Sequence, residues 1–281
     1  MTESITSHTR VFALLGDPVS HSFSPVIQNA AIRDLGLDGV YVALRAKSPH
    51  EMAAFLRGLA LAGGGGNVTL PHKEKAATVL DVPSPNVRRT GACNTFWFQD
   101  GKIHGDNTDV EGFSRALEAF LGGTPEGYRV LVLGAGGSAR ACLVSLMDAG
   151  VEEVQLLNRT RDRARAVARR IGGERVRVLD DRMDLAGRAF DLVVNTTRLG
   201  LEPDDELPLE LDLLDRVGAV VDLVYRAGAT PFVGRARERG IRAADGTEML
   251  LHQGAVAFER WWRRRPSLEV MRTAFQAFQG S

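Results

Sequence analysis

Cysteine is nearly absent from this chain. Cys93 and Cys142 are the only two in 281 residues. The opening MTESITSHTR has no apolar stretch behind a basic start, so a reduced, cytoplasmic protein is expected and the Asn-x-Thr sequons at Asn67, Asn158 and Asn195 should stay unmodified. Long hydrophobic runs are missing too: 130–133 and 219–221 are typical, far short of the ~20 residues that span a bilayer. Net charge is zero, with Lys+Arg 35 against Asp+Glu 35. A dedicated nucleic-acid binder, which must present a basic surface to phosphate, is thereby excluded. The histidines have no H-E-x-x-H spacing, the cysteines no C-x-x-C pairing, and no G-x-x-x-x-G-K-[ST] loop occurs, so neither a metal site nor a phosphate-binding P-loop is expected. Lysine is scarce as well. Lys47, Lys73, Lys75 and Lys102 are the only lysines among the 35 basic residues.

What is present is an alternation of short apolar runs with helical periodicity. Strands are expected over 11–15, 39–44, 66–70, 94–99, 129–133, 153–157, 192–195 and 219–224. Helices are expected over 26–35, 49–60, 108–121, 138–149, 161–170 and 231–239, and a tail of two helices, 247–264 and 267–278, is divided by Pro266. This pattern is that of an α/β protein on mainly parallel sheets, long enough for two domains. The glycine run 63–66 reads as a loop that brings backbone close to something, and Leu121-Gly-Gly-Thr-Pro-Glu-Gly as a second loop.

The segment Arg129-Val-Leu-Val-Leu-Gly-Ala-Gly-Gly-Ser-Ala places Gly134-x-Gly136-x-x-Ala139 between a strand and a helix. Gly134 suits the tight turn, Gly136 admits a pyrophosphate to the backbone, and Ala139 lets helix and strand pack closely. Ala135, Gly137 and Ser138 complete the candidate dinucleotide loop. After the next strand an NAD protein usually carries an acid for the ribose 2′-hydroxyl. Here stand Asn158, Arg159, Thr160 and, a helical step on, Arg163, a positive set that suits a 2′-phosphate, so the expected cofactor is NADP.

Two further segments gather polar groups. Asn67-Val-Thr-Leu-Pro-His-Lys73 supplies an amide, a hydroxyl and an amine at a strand end; Gly105-Asp-Asn-Thr-Asp109 adds an amide and two carboxylates. Reduction of a ketone needs a proton for oxygen besides the hydride, and a lysine beside a carboxylate can give one. Spacing alone leaves a catalytic and a surface role for Lys73 both open.

Taken in order, Gly16-Asp-Pro-Val-Ser-His-Ser-Phe-Ser-Pro25, Asn67 to Lys73, Gly91-Ala-Cys-Asn-Thr95, Gly105 to Asp109, Gly134-Ala-Gly-Gly137, Asn158-Arg-Thr160 and Gly246-x-x-Met-Leu-x-x-Gln253 resemble the shikimate dehydrogenase family along nearly the whole chain. The resemblance implies reversible, NADP-linked reduction of 3-dehydroshikimate to shikimate in aromatic amino-acid biosynthesis, by a monomer or homodimer. It implies an N-terminal α/β substrate domain completed by C-terminal helices (1–109 and 245–281), an inserted NADP-binding Rossmann domain (110–244), and an active site in the cleft. Carried over by position, Lys73 and Asp109 are the catalytic pair; Ser22 and Ser24 hold the substrate carboxylate; Asn67, Thr69, Asn94 and Gln253 bond ring hydroxyls; and Tyr225 lies on the substrate side. Thr197, Gly246 and Met249 match cofactor positions. Arg198 and Leu201 depart from the small residues and methionine usual near the nicotinamide, and Glu248 falls at a variable place. Quinate-using relatives often carry threonine at the second serine and an acid at the NADP arginine, so Ser24 and Arg159 favour the shikimate branch. A non-catalytic sensor would lack the Lys73–Asp109 pair.

Overall fold

A computed structural model describes residues 5–202, 204–226 and 228–279. In chain order the elements are β1 (Arg10–Gly16), α1 (Ser24–Asp34), β2 (Gly39–Arg45), α2 (Pro49–Leu61), β3 (Gly65–Val68), α3 (Lys73–Ala76), β4 (Val82–Pro83), α4 (Pro85–Thr90), β5 (Thr95–Gln99), β6 (Lys102–Asp106) and α5 (Asp109–Leu121). There follow β7 (Arg129–Leu133), α6 (Gly137–Asp148), β8 (Glu153–Leu157), α7 (Arg161–Ile171), β9 (Val176–Val178), β10 (Ala189–Asn195), β11 (Arg216–Asp222), α8 (Pro231–Glu238), β12 (Arg242–Ala244), α9 (Thr247–Trp262) and α10 (Leu268–Gln279). They form two compact units, one of Met1–Gly112 with Leu250–Ser281, the other of Phe113–Met249.

The first unit holds a sheet in the order β2-β1-β3-β5-β6-β4. β1 runs parallel to β2 and β3, which requires crossover connections, and α1 and α2 provide them. α2 starts cleanly because Ser48 Oγ accepts from the Glu51 amide at 3.1 Å and Pro49 needs no donor partner in the first turn. β5 and β6 form an antiparallel hairpin about Asp100-Gly101, whose φ values of 51° and 73° are those of a two-residue turn matched to strand twist. β6 lies outside the expected strands. The glycine run is a second correction. Gly65 lies in strand β3 rather than in a loop, one residue before the expected strand start at Gly66, and a Cβ on Gly64 or Gly66 would collide with the carbonyl oxygens of Val11 or Ala13. Bare backbone is what lets β3 fit beside β1. One face of the sheet buries Ala13, Leu15, Met52, Leu56 and Phe96; elsewhere Phe12 stacks on Trp261 of α9 with centroids 5.0 Å apart.

The second unit is an all-parallel sheet ordered β12-β11-β10-β7-β8-β9, the doubly wound arrangement of a Rossmann fold. Its central strands are apolar on both faces, with Val130, Leu131, Val132, Leu192, Val193 and Val220 fully buried, as a sheet covered twice demands. Strand order reverses between β7 and β10, which brings Gly134 and Asn195 to the place where such sheets take ligands.

The glycines give a paired test of packing. Gly66→Ala should cost about 3 kcal/mol or more, since the new methyl meets main chain, whereas Gly58→Ala, in open space within α2, should stabilise by ~0.5–1 kcal/mol. Denaturant midpoints of the two variants, moving in opposite directions, check this.

Candidate active site

In the first unit the polar segments converge at the ends of β3 and β6. Lys73 opens α3, and its backbone carbonyl accepts from the Cys93 amide at 2.8 Å, which ties it to the Gly91–Thr95 segment. Asp109 opens α5. Lys73 Nζ donates to Asp109 Oδ2 at 2.5 Å, with side chains only 13% and 6% exposed. The other oxygen, Oδ1, accepts from Asn94 Nδ2 at 2.8 Å. Both carboxylate oxygens are therefore occupied, one by an ammonium and one by an amide. The Asn94 orientation is set in turn by the Thr108 backbone, which donates to Asn94 Oδ1 at 2.8 Å. Asn94 Nδ2 also reaches Gln253 Oε1 on α9 at 3.3 Å.

Asn67 joins the same constellation from β3. Its Nδ2 donates to the Asn94 carbonyl at 3.0 Å, and its Oδ1 accepts from the Tyr41 hydroxyl at 2.8 Å. Burial pushes the Tyr41 phenol pKa upward, so it stays a donor. Nothing local in the sequence marks Tyr41, because its partner lies on another strand. Thr69 follows β3, half-buried, with its amide bonded to the Leu15 carbonyl at 2.8 Å. Ser22 and Ser24 meet at the start of α1, where the Ser24 amide donates to Ser22 Oγ at 3.2 Å; the residue between them, Phe23, caps the helix without a side-chain bond. The first-turn amides are taken up locally, with Val26 and Ile27 donating to the Phe23 carbonyl and Pro25 having none, so the two hydroxyls are the donors that this turn offers an anion. Cys93, fully buried, donates to the Thr95 carbonyl, and burial pushes its thiol pKa up to about 12, which makes it an inert filler. His72 is a satisfied packing residue, its Nε2 2.8 Å from the Ala46 carbonyl oxygen.

In the second unit Gly134 has φ +106°, and a Cβ there would meet Thr196 Oγ1 at 2.6 Å; both facts demand glycine. Gly136 precedes α6 with open space around its Cα and caps the helix with no side-chain bond, while Ala135, Gly137 and Ala139 are buried and Ser138 is half-buried. After β8, Asn158 Nδ2 donates to the Thr160 carbonyl at 2.8 Å and shapes the turn. Arg161 and Arg165 lean to Asp180 at 3.9 and 3.1 Å; Arg159 is exposed, and among the described residues no carboxylate pairs with it. Arg163 lies further along α7. Thr197 Oγ1 donates to Asn195 Oδ1 at 2.7 Å, and Tyr225 follows β11, half-buried. Gly246 passes so close to the Leu223 carbonyl oxygen that a Cβ would collide with it, and Met249 packs in the unit's core.

Asp222 is absent from the residues that the sequence singles out. It is fully buried at the end of β11 and accepts from Asn195 Nδ2 at 2.8 Å, the Val224 amide at 3.1 Å and Thr230 Oγ1 at 2.6 Å. Desolvation pushes its carboxyl pKa upward despite those bonds. It joins the loops after β10 and β11, which carry Thr197 and Tyr225.

A Rossmann unit with an uncapped glycine loop, together with a substrate unit carrying an aimed lysine–carboxylate pair, defines a dinucleotide-dependent oxidoreductase. Family models match by description as "Shikimate dehydrogenase substrate binding domain" over residues 14–96, "Shikimate / quinate 5-dehydrogenase" over 118–199 and "Shikimate 5'-dehydrogenase C-terminal domain" over 246–274. A shikimate dehydrogenase (NADP(+)) of Afipia carboxidovorans is 44% identical over 93% of this chain and 94% of its own. The shikimate dehydrogenase of Aquifex aeolicus superposes with TM-score 0.88 at 34% identity, covering 96% of this chain and 99% of that one. The Thermus thermophilus enzyme, in complex with NADP(H) and shikimate, does so with TM-score 0.84 at 40% identity, covering 95% and 98%. The chain belongs to the shikimate dehydrogenase family.

Removal of the Tyr41 hydroxyl tests how firmly Asn67 is held. Tyr41→Phe leaves a buried amide oxygen short of its donor and should cost ~1–3 kcal/mol, read as a lowered denaturant midpoint, and should weaken shikimate binding.

Proposed function

We propose that Lys73 and Asp109 move the proton in the reaction of this family, the reversible NADP-linked reduction of 3-dehydroshikimate to shikimate, a step of aromatic amino-acid biosynthesis. The observation that carries the reading is the 2.5 Å contact from Lys73 Nζ to an Asp109 carboxylate whose other oxygen is held by Asn94. Reduction adds a hydride to the carbonyl carbon and a proton to its oxygen; NADPH, when bound, supplies the hydride. Lys73 gives the proton as the oxygen gains charge, and Asp109 holds the ammonium in aim, in the low-dielectric setting where such a charge acts most strongly. In the reverse direction Lys73 takes the hydroxyl proton back. Ser22 and Ser24 receive the substrate carboxylate through their hydroxyls. Asn67, Thr69, Asn94 and Gln253 bond the ring hydroxyls, each an amide or hydroxyl that punishes an analogue lacking its partner. Tyr225 serves the substrate rather than the cofactor.

The Gly134–Ala139 loop fits the pyrophosphate: the α6 amides are uncapped and the space at Gly136 is open. Arg159, with Thr160 and Arg163 near it in sequence, faces the 2′-phosphate, and Asn158 shapes their turn. Thr197, Gly246 and Met249 form the nicotinamide side. Residues 1–109 with 245–281 serve the substrate and 110–244 the cofactor, a division supported by compact units with bounds a few residues away. The protein acts in the cytoplasm as a monomer or homodimer. Among the described residues no helix is long and apolar enough to cross a membrane.

Lys73→Ala should lower kcat by ~10²–10⁴-fold with a much smaller change in the shikimate KM, and Asp109→Asn should follow it; near-parent turnover would remove the assignment. Shikimate should also be preferred to quinate, whose extra hydroxyl on the carboxylate-bearing carbon lacks a partner between the two serines, and comparable kcat/KM values would contradict this.

For the cofactor, Arg159→Ala should raise the KM for NADP about tenfold and leave that for NAD nearly unchanged, because the lost charge-assisted bond is to a group only NADP carries. Equal loss toward both would leave Arg159 a solvated residue of the turn before α7.

A further inference from the structure

Gln253 is the one polar group of the substrate site that comes from the far end of the chain, so something must set where α9 places it. Two contacts do. A Cβ on Gly112 would lie 2.6 Å from the Gln253 Cβ and 2.7 Å from its nitrogen, so the first turn of α5 touches α9 at this residue with no room to spare. Seven residues on, and hence two turns along the same face, Arg260 Nε reaches Asp106 Oδ2 at 3.1 Å. Asp106 is 4% exposed and closes β6 immediately before Asn107-Thr108-Asp109. Its Oδ1 accepts from Ser84 Oγ at 2.5 Å and from the Asn107 amide at 2.8 Å, and its backbone carbonyl accepts from the Asn94 amide at 3.1 Å. Arg260 also approaches Glu111 Oε2 at 3.7 Å, on the turn that follows Asp109. The guanidinium thus grips the segment that carries Asp109 and to which Asn94 is hydrogen-bonded.

We propose that Arg260, through its ion pair with Asp106, is a positioning residue that fixes the register of α9 against β6 and so holds the Gln253 amide in the substrate site. The pair acts along the helix and Gly112 across it. Together they oppose sliding and rotation of α9 against the stretch that carries Asp109. The proposal rests on the reading of Gln253 as a substrate ligand.

A double-mutant cycle tests it, with steady-state kinetics on shikimate and NADP. Arg260→Met, which keeps the apolar stem and removes the charge, should raise the shikimate KM about tenfold in the parent chain but less than twofold in a Gln253→Ala background, the non-additivity expected of one residue acting through another. The KM for NADP should move less than twofold in either. Arg260→Lys, which retains charge but not the donor position, should recover most of the affinity, and Arg260→Gln takes the place of Arg260→Met in the cycle if that variant does not fold. Equal increases in both backgrounds, or a parallel rise in the NADP KM, would overturn the proposal and leave Arg260 a general brace of the fold. If Gln253→Ala by itself leaves the shikimate KM at the parent value, the ligand assignment of Gln253 fails and the positioning role falls with it.

Discussion

The substrate unit depends on keeping one nearly buried carboxylate bonded at both oxygens. Withdrawal of a charge from water costs several kcal/mol, and a lone ammonium close by recovers that cost only if its geometry is held. Asp109 meets the condition with Lys73 on one oxygen and Asn94 on the other. Asn94 is in turn fixed by the Thr108 amide and by its own amide's bond to the Asp106 carbonyl, so the segment that bears Asp109 also orients the group that orients Asp109. The loop is closed on itself. A lysine on a flexible four-carbon stem becomes an aimed donor because every other member of the ring is main chain or a short side chain.

The second unit solves a similar problem with Asp222, but to a different end. Here a buried carboxylate with no cation against it among the described residues collects three donors, two from side chains and one from backbone, and thereby joins two loops at the carboxyl edge of the sheet. Parallel strands deliver their loops to one edge, and the loops must then be prevented from wandering. Apolar packing holds the strands; polar bonds hold what lies beyond them.

The parts of this protein that can be read from the sequence are those whose cause is local. The glycine loop after β7 announces itself because strand, tight turn and helix follow one another within a dozen residues, and parallel topology follows from the strand–helix rhythm. The site segments are visible as polar groups at strand ends, yet which of them touch is not: Asn67 and Tyr41 sit on different strands, and the Arg260–Asp106 pair joins a helix to a strand. β6 escapes the pattern because Lys102-Ile-His-Gly-Asp reads as polar loop, although Asp100-Gly101 before it is a strong hairpin signal. β4, β9 and β12 are two or three residues long and owe their existence to neighbours already in place. The glycine run reads as a loop for the opposite reason: its low strand propensity is overridden by a neighbour that leaves no room for side chains.

The substrate unit is discontinuous, and a ribosome makes chains from one end. Gln253, Arg260 and Trp261, which the unit requires, emerge only after the whole of Phe113–Met249 has been synthesised. At ~5–20 residues per second the earlier residues of that unit wait several seconds with the face that Trp261 will cover still open. The inserted unit, begun second, is complete first. Because Gly112 and Gln253 touch, the long excursion between them starts and finishes at neighbouring points of the unit it interrupts, so the waiting portion receives α9 beside the helix it has already begun and then α10, whose Phe275 meets Phe23.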